Sequence, residues 1–389
     1  MLHRQQLPVA SPIPLSGLVR AATSLLSWSG ARATAARNTD VIAQRYGASA
    51  VALTDSGTSA LVAALRLALP KGGTVAYPAY ACVDLIAAAR HANVAVRLYD
   101  VDPNTLSPDL DSVRTVLREG IEAIVVAHLY GFPADIPAVR EAAAEFGTVI
   151  IEDAAQHAGA TIHGTLTGRF GDLTVLSFGR GKGMTAGNGG ALLAVDPRWR
   201  SAVDTLSTAL PSASRGTGTV VGATASWLLG RPSIYAVPAG IPALHLGETV
   251  YHDAHDPAPL TRAAQTLLSV TLRDADATIG RRQKNAAVLN DLVRSSRARP
   301  MQSIAGGVPG YLRFPVRLPD GVPAAPRLGI VRGYPRPLAE QPELALSLCP
   351  VNGPLTGARE LARSLFTLPT HHLVTSADLA RLGAWLRTL

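Results

Sequence analysis

The sequence predicts an α/β protein built on an open, mostly parallel central sheet, with a smaller α+β domain at its C-terminal end. Three features carry this expectation. Short runs rich in valine and isoleucine recur between residues 50 and 200, their apolar residues are consecutive rather than alternate, and helical stretches fall between them. Consecutive apolar residues mark strands buried on both faces, and strand–helix alternation builds βαβ units. The chain has 389 residues, 47% of them hydrophobic and 16% charged, enough for a large core and for more than one domain.

Strands are expected at 74–77, 95–99, 123–127, 148–151, 173–178 and 191–195, with helices at 59–69, 83–91 and 136–146. From about Leu246 the texture changes. Residues 260–296 read as one long helix or a broken pair, and 311–316 as a strand. Residues 376–389 read as a helix with Leu379, Leu382, Trp385, Leu386 and Leu389 on one face. The division is therefore expected at 1–245 for a large domain and 246–389 for the small one, the N-terminal segment packing on the latter.

The formal charge is +8, carried almost wholly by dispersed arginine, without a run of like charges. That distribution suits small anionic ligands better than nucleic acid. The two cysteines, Cys82 and Cys349, make no disulfide framework and point to the cytoplasm. The apolar stretch 13–28 is interrupted by Gly17 and Arg20, so no secretory signal is expected. The stretch 216–246 is cut by Arg231, Pro232, Pro238 and Pro242, which excludes a spanning helix there. It reads as a buried or subunit-facing loop, with contact to a membrane surface or a greasy substrate as the alternative.

Open parallel sheets bind ligands beyond the carboxyl ends of their strands. Asp55-Ser56-Gly57-Thr58-Ser59-Ala60-Leu61 is a turn feeding a helix, either a phosphate cradle of outward N–H groups or a plain N-cap. A buried strand ends in Glu152-Asp153, followed by Gln156 and His157. A carboxylate there needs a cation, such as a protonated pyridine nitrogen, unless it only caps the next helix. Lysine occurs three times, at 71, 182 and 284, and Lys182 lies between glycines after a hydrophobic strand. An amine so placed can condense with an aldehyde, and glycines let backbone approach a flat ring. The spacing of Gly179-Arg180-Gly181-Lys182-Gly183 does not match a Walker loop. His252 and His255, beside aspartates in a proline-rich loop, read as polar surface, and no metal is expected.

Phosphate cradle, aspartate and a lysine 29 residues further on occur in the order of a fold-type I pyridoxal phosphate enzyme. The chain resembles the DegT/DnrJ/EryC1/StrS aminotransferase family: S-G-T-x-A-L at Ser56–Leu61, H-x-Y-G at His128–Gly131 and E-D-A-A-Q at Glu152–Gln156. G-x-x-G-D-x-x-x-x-S-F-x-x-x-K at Gly168–Lys182 and L-P-x-H at Leu368–His371 complete the match. The resemblance implies that Lys182 joins pyridoxal 5′-phosphate as a Schiff base and shuttles the proton. It further implies that Asp153 pairs with the ring nitrogen, Gln156 with the 3-oxygen, and Ser177, Gly57 and Thr58 with the phosphate. A homodimer is implied, as is transfer from an amino acid, glutamate in the family, to a ketone such as a keto-sugar.

Departures from the pattern fall around the substrate. Cys82 stands where relatives stack an aromatic ring, leaving Tyr80 as the alternative; Asn188 replaces a glutamate, and the N-x-R that reaches the partner's phosphate is missing from 256–265. His157 and Asn188 are expected near the substrate. A lipophilic or polyketide-like ketone, or a catalytically silent pyridoxal-phosphate-binding regulator, is the alternative function. Dehydratases of the family carry histidine in place of Lys182, so a dehydration is disfavoured.

Overall fold

The structure is a computed structural model and describes residues 4–26, 30–241 and 250–389. The tail of the apolar stretch 13–28, residues 242–246 of the second stretch and the expected boundary at 245–246 lie outside the described residues.

The large sheet is built from β1 (Ala50–Thr54), β2 (Thr74–Pro78), β3 (Ala95–Tyr99), β4 (Ala123–Ala127), β5 (Val149–Asp153), β8 (Leu173–Ser177) and β9 (Gly190–Ala194). A short hairpin, β6 (Thr161–Ile162) and β7 (Thr165–Leu166), interrupts them. The order is β1-β9-β8-β5-β4-β2-β3, and β9 alone runs against its neighbours. Six strands therefore point the same way, and their carboxyl ends deliver residues 55–58, 79–82, 128–130, 153–157 and 177–182 to one edge. Valine, isoleucine, leucine and alanine on both strand faces are buried between helices on either side, the arrangement a parallel sheet requires.

The six strands expected between residues 50 and 200 appear with ends within two residues of those expected, and the strand expected at 311–316 runs over Phe314–Arg317. β1, Ala-Val-Ala-Leu-Thr, was not expected, although all five of its residues are buried. The helix Leu110–Arg118, capped by Asp109, was also missed. Residues 260–296 form a broken pair, Arg262–Thr271 and Ala275–Arg294. Leu260, Ala263, Ala264, Leu267 and Leu268 still pack in a core shared with the large sheet.

The small sheet orders β10 (Arg299–Pro300), β12 (Phe314–Arg317), β14 (Leu365–Leu368) and β13 (Val331–Arg332), while β11 (Gly307–Val308) pairs with the β6–β7 hairpin. Ala286, Leu289 and Val293 of one helix, and Leu382 and Leu386 of Ser376–Leu386, pack against Phe314, Val316, Phe366 and Leu368. Each such buried side chain contributes about 1.5–3 kcal/mol of transfer free energy. A capping box between Thr375 and Asp378 starts the last helix.

The N-terminal segment straps these parts together. Arg4 pairs with Asp378 at 2.7 Å, Gln6 donates to the Leu373 carbonyl, and the Leu7 carbonyl accepts from His371 Nε2 at 3.0 Å. Further along, Ser11 Oγ accepts the Gly181 N–H at 2.8 Å. Gly181 has a positive φ and packs so closely on Val9 that a Cβ would lie 2.9 Å from its Cγ1.

Two imidazoles are sealed into this framework. His157 Nδ1 accepts from Gly159 N–H, so Nε2 carries the proton and donates to Tyr46 Oη at 2.9 Å. His371 Nδ1 likewise accepts from Leu373 N–H. Burial pushes both down, to about 3. Unfolded, each takes a proton near pH 6.5, so their contribution is complete above that value and is lost as pH falls toward 3. The urea midpoint should therefore drop steeply below about pH 6.5, each imidazole adding up to about 1.4 kcal/mol per pH unit. Unfolding of a His157→Gln/His371→Gln variant should show a flatter dependence on pH; an unaltered slope would contradict the assignment.

Candidate active site

The carboxyl ends of β5 and β8 are locked by one buried acid. Glu152 accepts from His128 Nε2 at 2.7 Å, from the N–H groups of Phe170 (2.8 Å), Gly171 (2.9 Å) and Gly168, and from Thr174 Oγ1 at 3.4 Å. Burial alone would raise its pKa, but these donors outweigh it and hold the carboxyl below its usual range. His128 Nδ1 accepts the Ala134 N–H at 2.9 Å, which leaves the ring neutral with its proton on Nε2. The pair is therefore a carboxylate bonded to a neutral imidazole rather than a full ion pair.

Side chains alternate along a strand, so Asp153 turns away from Glu152. Its Oδ1 accepts the Ala155 N–H at 3.0 Å, and among the described residues its carboxylate has no other hydrogen bond. Burial raises its pKa, against the opposing pull of that bond and of the Lys182 charge. A cation at this carboxylate would relieve the burial cost.

Lys182 is half-buried in the loop after β8, whose main chain bridges Gly179 to Gly187 and Ser56 to Gly189. Thr185 Oγ1 ties the loop to the Phe178 and Gly179 carbonyls, and buried Arg282 donates to the Gly183 carbonyl at 3.3 Å. The lysine charge acts on both Asp153 and Cys82, opposing in each the rise that burial causes. Burial pushes the Cys82 thiol up, so it stays neutral.

Opposite stands the helix Gly57–Ala68. Ser56 Oγ takes the Ser59 N–H at 2.9 Å, and the N–H groups of Gly57 and Thr58 are left open by helix geometry. A Cβ on Gly57 would lie 2.8 Å from Ser177 Cβ, so only glycine lets this helix start approach the serine. N–H groups at a helix start, glycine and a hydroxyl make a phosphate cradle. Together with an amine and a buried carboxylate lacking a cation, these groups fit pyridoxal phosphate.

Of the expected ring neighbours, Gln156 Oε1 accepts the Tyr130 N–H at 3.2 Å, and its Nε2 donates to Tyr334 Oη at 2.6 Å. Tyr80 is fully buried, and its hydroxyl accepts the Tyr334 N–H at 2.9 Å and meets Tyr130 Oη at 3.4 Å. Tyr80 is thus committed to a tyrosine cluster edge-on to Tyr334, while Cys82 lies on the Lys182 side. His157, expected near the substrate, faces the core, because both ring nitrogens are engaged there. Asn188 Oδ1 accepts from Thr219 Oγ1 at 3.1 Å. Tyr334, which sits in a proline- and glycine-rich stretch with no motif, was not foreseen. The loop with His252 and His255 is braced by an ion pair of Asp256 with Arg66 at 2.8 Å and by contacts of His255 with Asp55 at 3.2 Å and of His91 with Asp256 at 3.0 Å.

The sequence model described as the DegT/DnrJ/EryC1/StrS aminotransferase family matches residues 34–221. The chain is 28% identical over 375 residues to L-glutamine:2-deoxy-scyllo-inosose aminotransferase of Streptomyces lividus, covering 93% of this chain and 82% of that protein. It is 34% identical over 148 residues, 38% of each chain, to dTDP-4-dehydro-2,3,6-trideoxy-D-glucose 4-aminotransferase of Saccharopolyspora spinosa. Among solved structures, the aminotransferase TlmJ from Streptoalloteichus hindustanus superposes with a TM-score of 0.76 at 22% identity, over 100% of this chain and 98% of that one. With the fold, the buried carboxylate and the cradle in place, it is residues 34–221 of this chain that match the pyridoxal-phosphate-dependent DegT/DnrJ/EryC1/StrS aminotransferase family.

Proposed function

We propose that this protein moves an amino group from an amino acid of the glutamate class to the carbonyl of a keto-sugar or a related polyhydroxylated cyclic ketone. The observation that supports the reading is Asp153, a buried carboxylate at the end of β5 that accepts one hydrogen bond, with Lys182 in the loop that follows the neighbouring strand β8. The relatives, one named for an inosose and one for a dTDP-linked keto-sugar, support the acceptor class.

Bound pyridoxal phosphate supplies an electron sink for the bonds at the donor's α-carbon. The Asp153 carboxylate keeps the ring nitrogen protonated. Gln156 Nε2 donates to the 3-oxygen, while the Gly57 and Thr58 N–H groups and the Ser177 hydroxyl hold the phosphate. Lys182 Nζ would hold the aldehyde and, once freed by a substrate amine, would move a proton between the donor's α-carbon and the aldehyde carbon. The same residues act in reverse order on the ketone. Cys82, a neutral thiol, lines the site without competing for the aldehyde as a thiolate. We propose a cytoplasmic homodimer, in which the exposed Val221, Leu228, Leu229 and Val237 of the inserted segment around Thr217–Leu229 are covered by the partner. That same apolar face favours a second reading, a lipophilic ketone, which a panel of both acceptor types separates.

Borohydride treatment of pyridoxal-phosphate-loaded protein should fix the pyridoxyl group on the peptide containing Lys182. Lys182→Ala should carry none and lose amino transfer by at least about 10²-fold; label at Lys71 or Lys284 instead would sink the assignment. Asp153→Asn should slow removal of the donor's α-proton by about 10- to 100-fold, with the cofactor still bound, as read by stopped-flow absorbance. Gly57→Ala, which pushes on Ser177, should raise the cofactor dissociation constant about 5- to 100-fold in a fluorescence titration.

A further inference from the structure

Tyr334 follows β13 of the small sheet, on a stretch seated across the ends of β2 and β4. The Leu338 N–H donates to the Ala79 carbonyl at 2.7 Å, and the Tyr334 N–H donates to Tyr80 Oη at 2.9 Å. A Cβ on Gly333 would strike the hydroxyls of Tyr80 and Tyr130, so only glycine lets the stretch lie this close. Pro335 favours extended backbone in the residue before it. The Tyr334 ring meets those of Tyr80 and Tyr130 at centroid distances of 5.4 and 5.7 Å, and it is buried. Main chain and packing together fix its place.

What this ring holds is an amide. The Tyr130 N–H can only donate, so the atom of Gln156 that meets it at 3.2 Å is the oxygen, Oε1. Nε2 is then the atom that donates to Tyr334 Oη, at 2.6 Å. An amide nitrogen carries two hydrogens, and among the described residues the second has no acceptor. Without the tyrosine hydroxyl the amide would be held at its oxygen alone, free to turn about that one bond. Burial pushes the Tyr334 hydroxyl well up, so it stays protonated, and Tyr80, Tyr130 and Cys82 are raised by burial likewise.

We infer that Tyr334 is a positioning residue: by engaging one Nε2 hydrogen of Gln156, it aims the other at the 3-oxygen of pyridoxal phosphate. The inference rests on the reading above, in which Gln156 faces that oxygen and Lys182 holds the aldehyde. The 3-oxygen and the aldehyde group sit on adjacent ring atoms, so the charge of the oxygen helps keep a proton on the nitrogen that Lys182 contributes. A hydrogen bond donated to the oxygen draws off part of that charge and loosens the proton. Tyr334 thus sets, through Gln156, the pH at which the Lys182 linkage loses its proton and its visible absorbance.

The test is a pH titration of the visible absorbance of protein loaded with pyridoxal 5′-phosphate, for wild type, Tyr334→Phe, Gln156→Leu and the double variant. Tyr334→Phe should move the transition up by about 0.5 to 1 pH unit. Gln156→Leu should move it at least as far, and the double variant no further than Gln156→Leu alone, because the tyrosine acts only through the amide. A merely structural tyrosine would lower the urea midpoint and leave the transition where it is. An unmoved transition in Tyr334→Phe therefore overturns the inference. An equal added movement on the Gln156→Leu background overturns it too, since the hydroxyl would then act directly. No movement in Gln156→Leu does the same, and so does a wild type that shows no such transition. Transitions that move as stated without turnover would defeat the amino-transfer reading and leave this inference standing, whereas turnover with an unmoved transition would do the reverse. Should Tyr334→Phe fail to fold, Tyr334→Leu, which also removes the acceptor, carries the same comparison.

Discussion

The whole site depends on the burial of one negative charge. Glu152 lies at the centre of the sheet with no cation touching it, because the hydrogen bond from Ala134 keeps His128 neutral. Removing a carboxylate from water costs several kcal/mol unless its oxygens are satisfied, and here backbone amides, a hydroxyl and an imidazole satisfy them. Those amides belong to the turn at 168–171, which enters β8, and the imidazole belongs to the end of β4. One acid therefore sets the relative height of β4, β5 and β8, and so the spacing of Tyr130, Asp153 and Ser177.

Asp153, next in the chain, is treated in the opposite way. Glu152 is saturated with donors and Asp153 is given one. The contrast separates two roles within a dipeptide. A satisfied carboxylate builds structure, and an unsatisfied one in low dielectric is a receptor waiting for charge. Lys182 does not neutralise Asp153 by direct contact, since no ion pair joins them, yet its charge already lowers the cost of the carboxylate. The amine is thereby left for covalent work.

The large domain was legible because its signals are local. Consecutive valine and isoleucine runs mark doubly buried strands, and each chemical residue sits within a few positions of a strand end, where topology alone gathers them. What stayed hidden is long-range. The Tyr80–Tyr130–Tyr334 cluster joins three distant segments, and no spacing rule connects Tyr334 to Gln156. His157 was misplaced for a related reason: it follows Gln156 in the motif, but the chain turns after Ala154 and sends the ring toward Tyr46 in the core. Sequence proximity to a site residue says nothing about which face of a turn a side chain takes.

The N-terminal strap shows how the two sheets come to share one site. The Leu7 carbonyl is held by His371 of the small domain, and only four residues later Ser11 holds the Gly181 amide beside Lys182. Arg282, on the helix Ala275–Arg294, grips the other flank of the lysine through the Gly183 carbonyl. The lysine loop is thus held on both sides, by the strap through Gly181 and through Gly183 by a helix whose Ala286 and Leu289 pack in the core of the small sheet. Gly181 and Gly183 permit the clamp, since a Cβ at either would strike Val9 or the main chain of Ala158. The glycines flanking Lys182 therefore serve to seat the lysine loop against the strap and the turn at Ala158, and that close approach is needed as much as nearness to a flat ring.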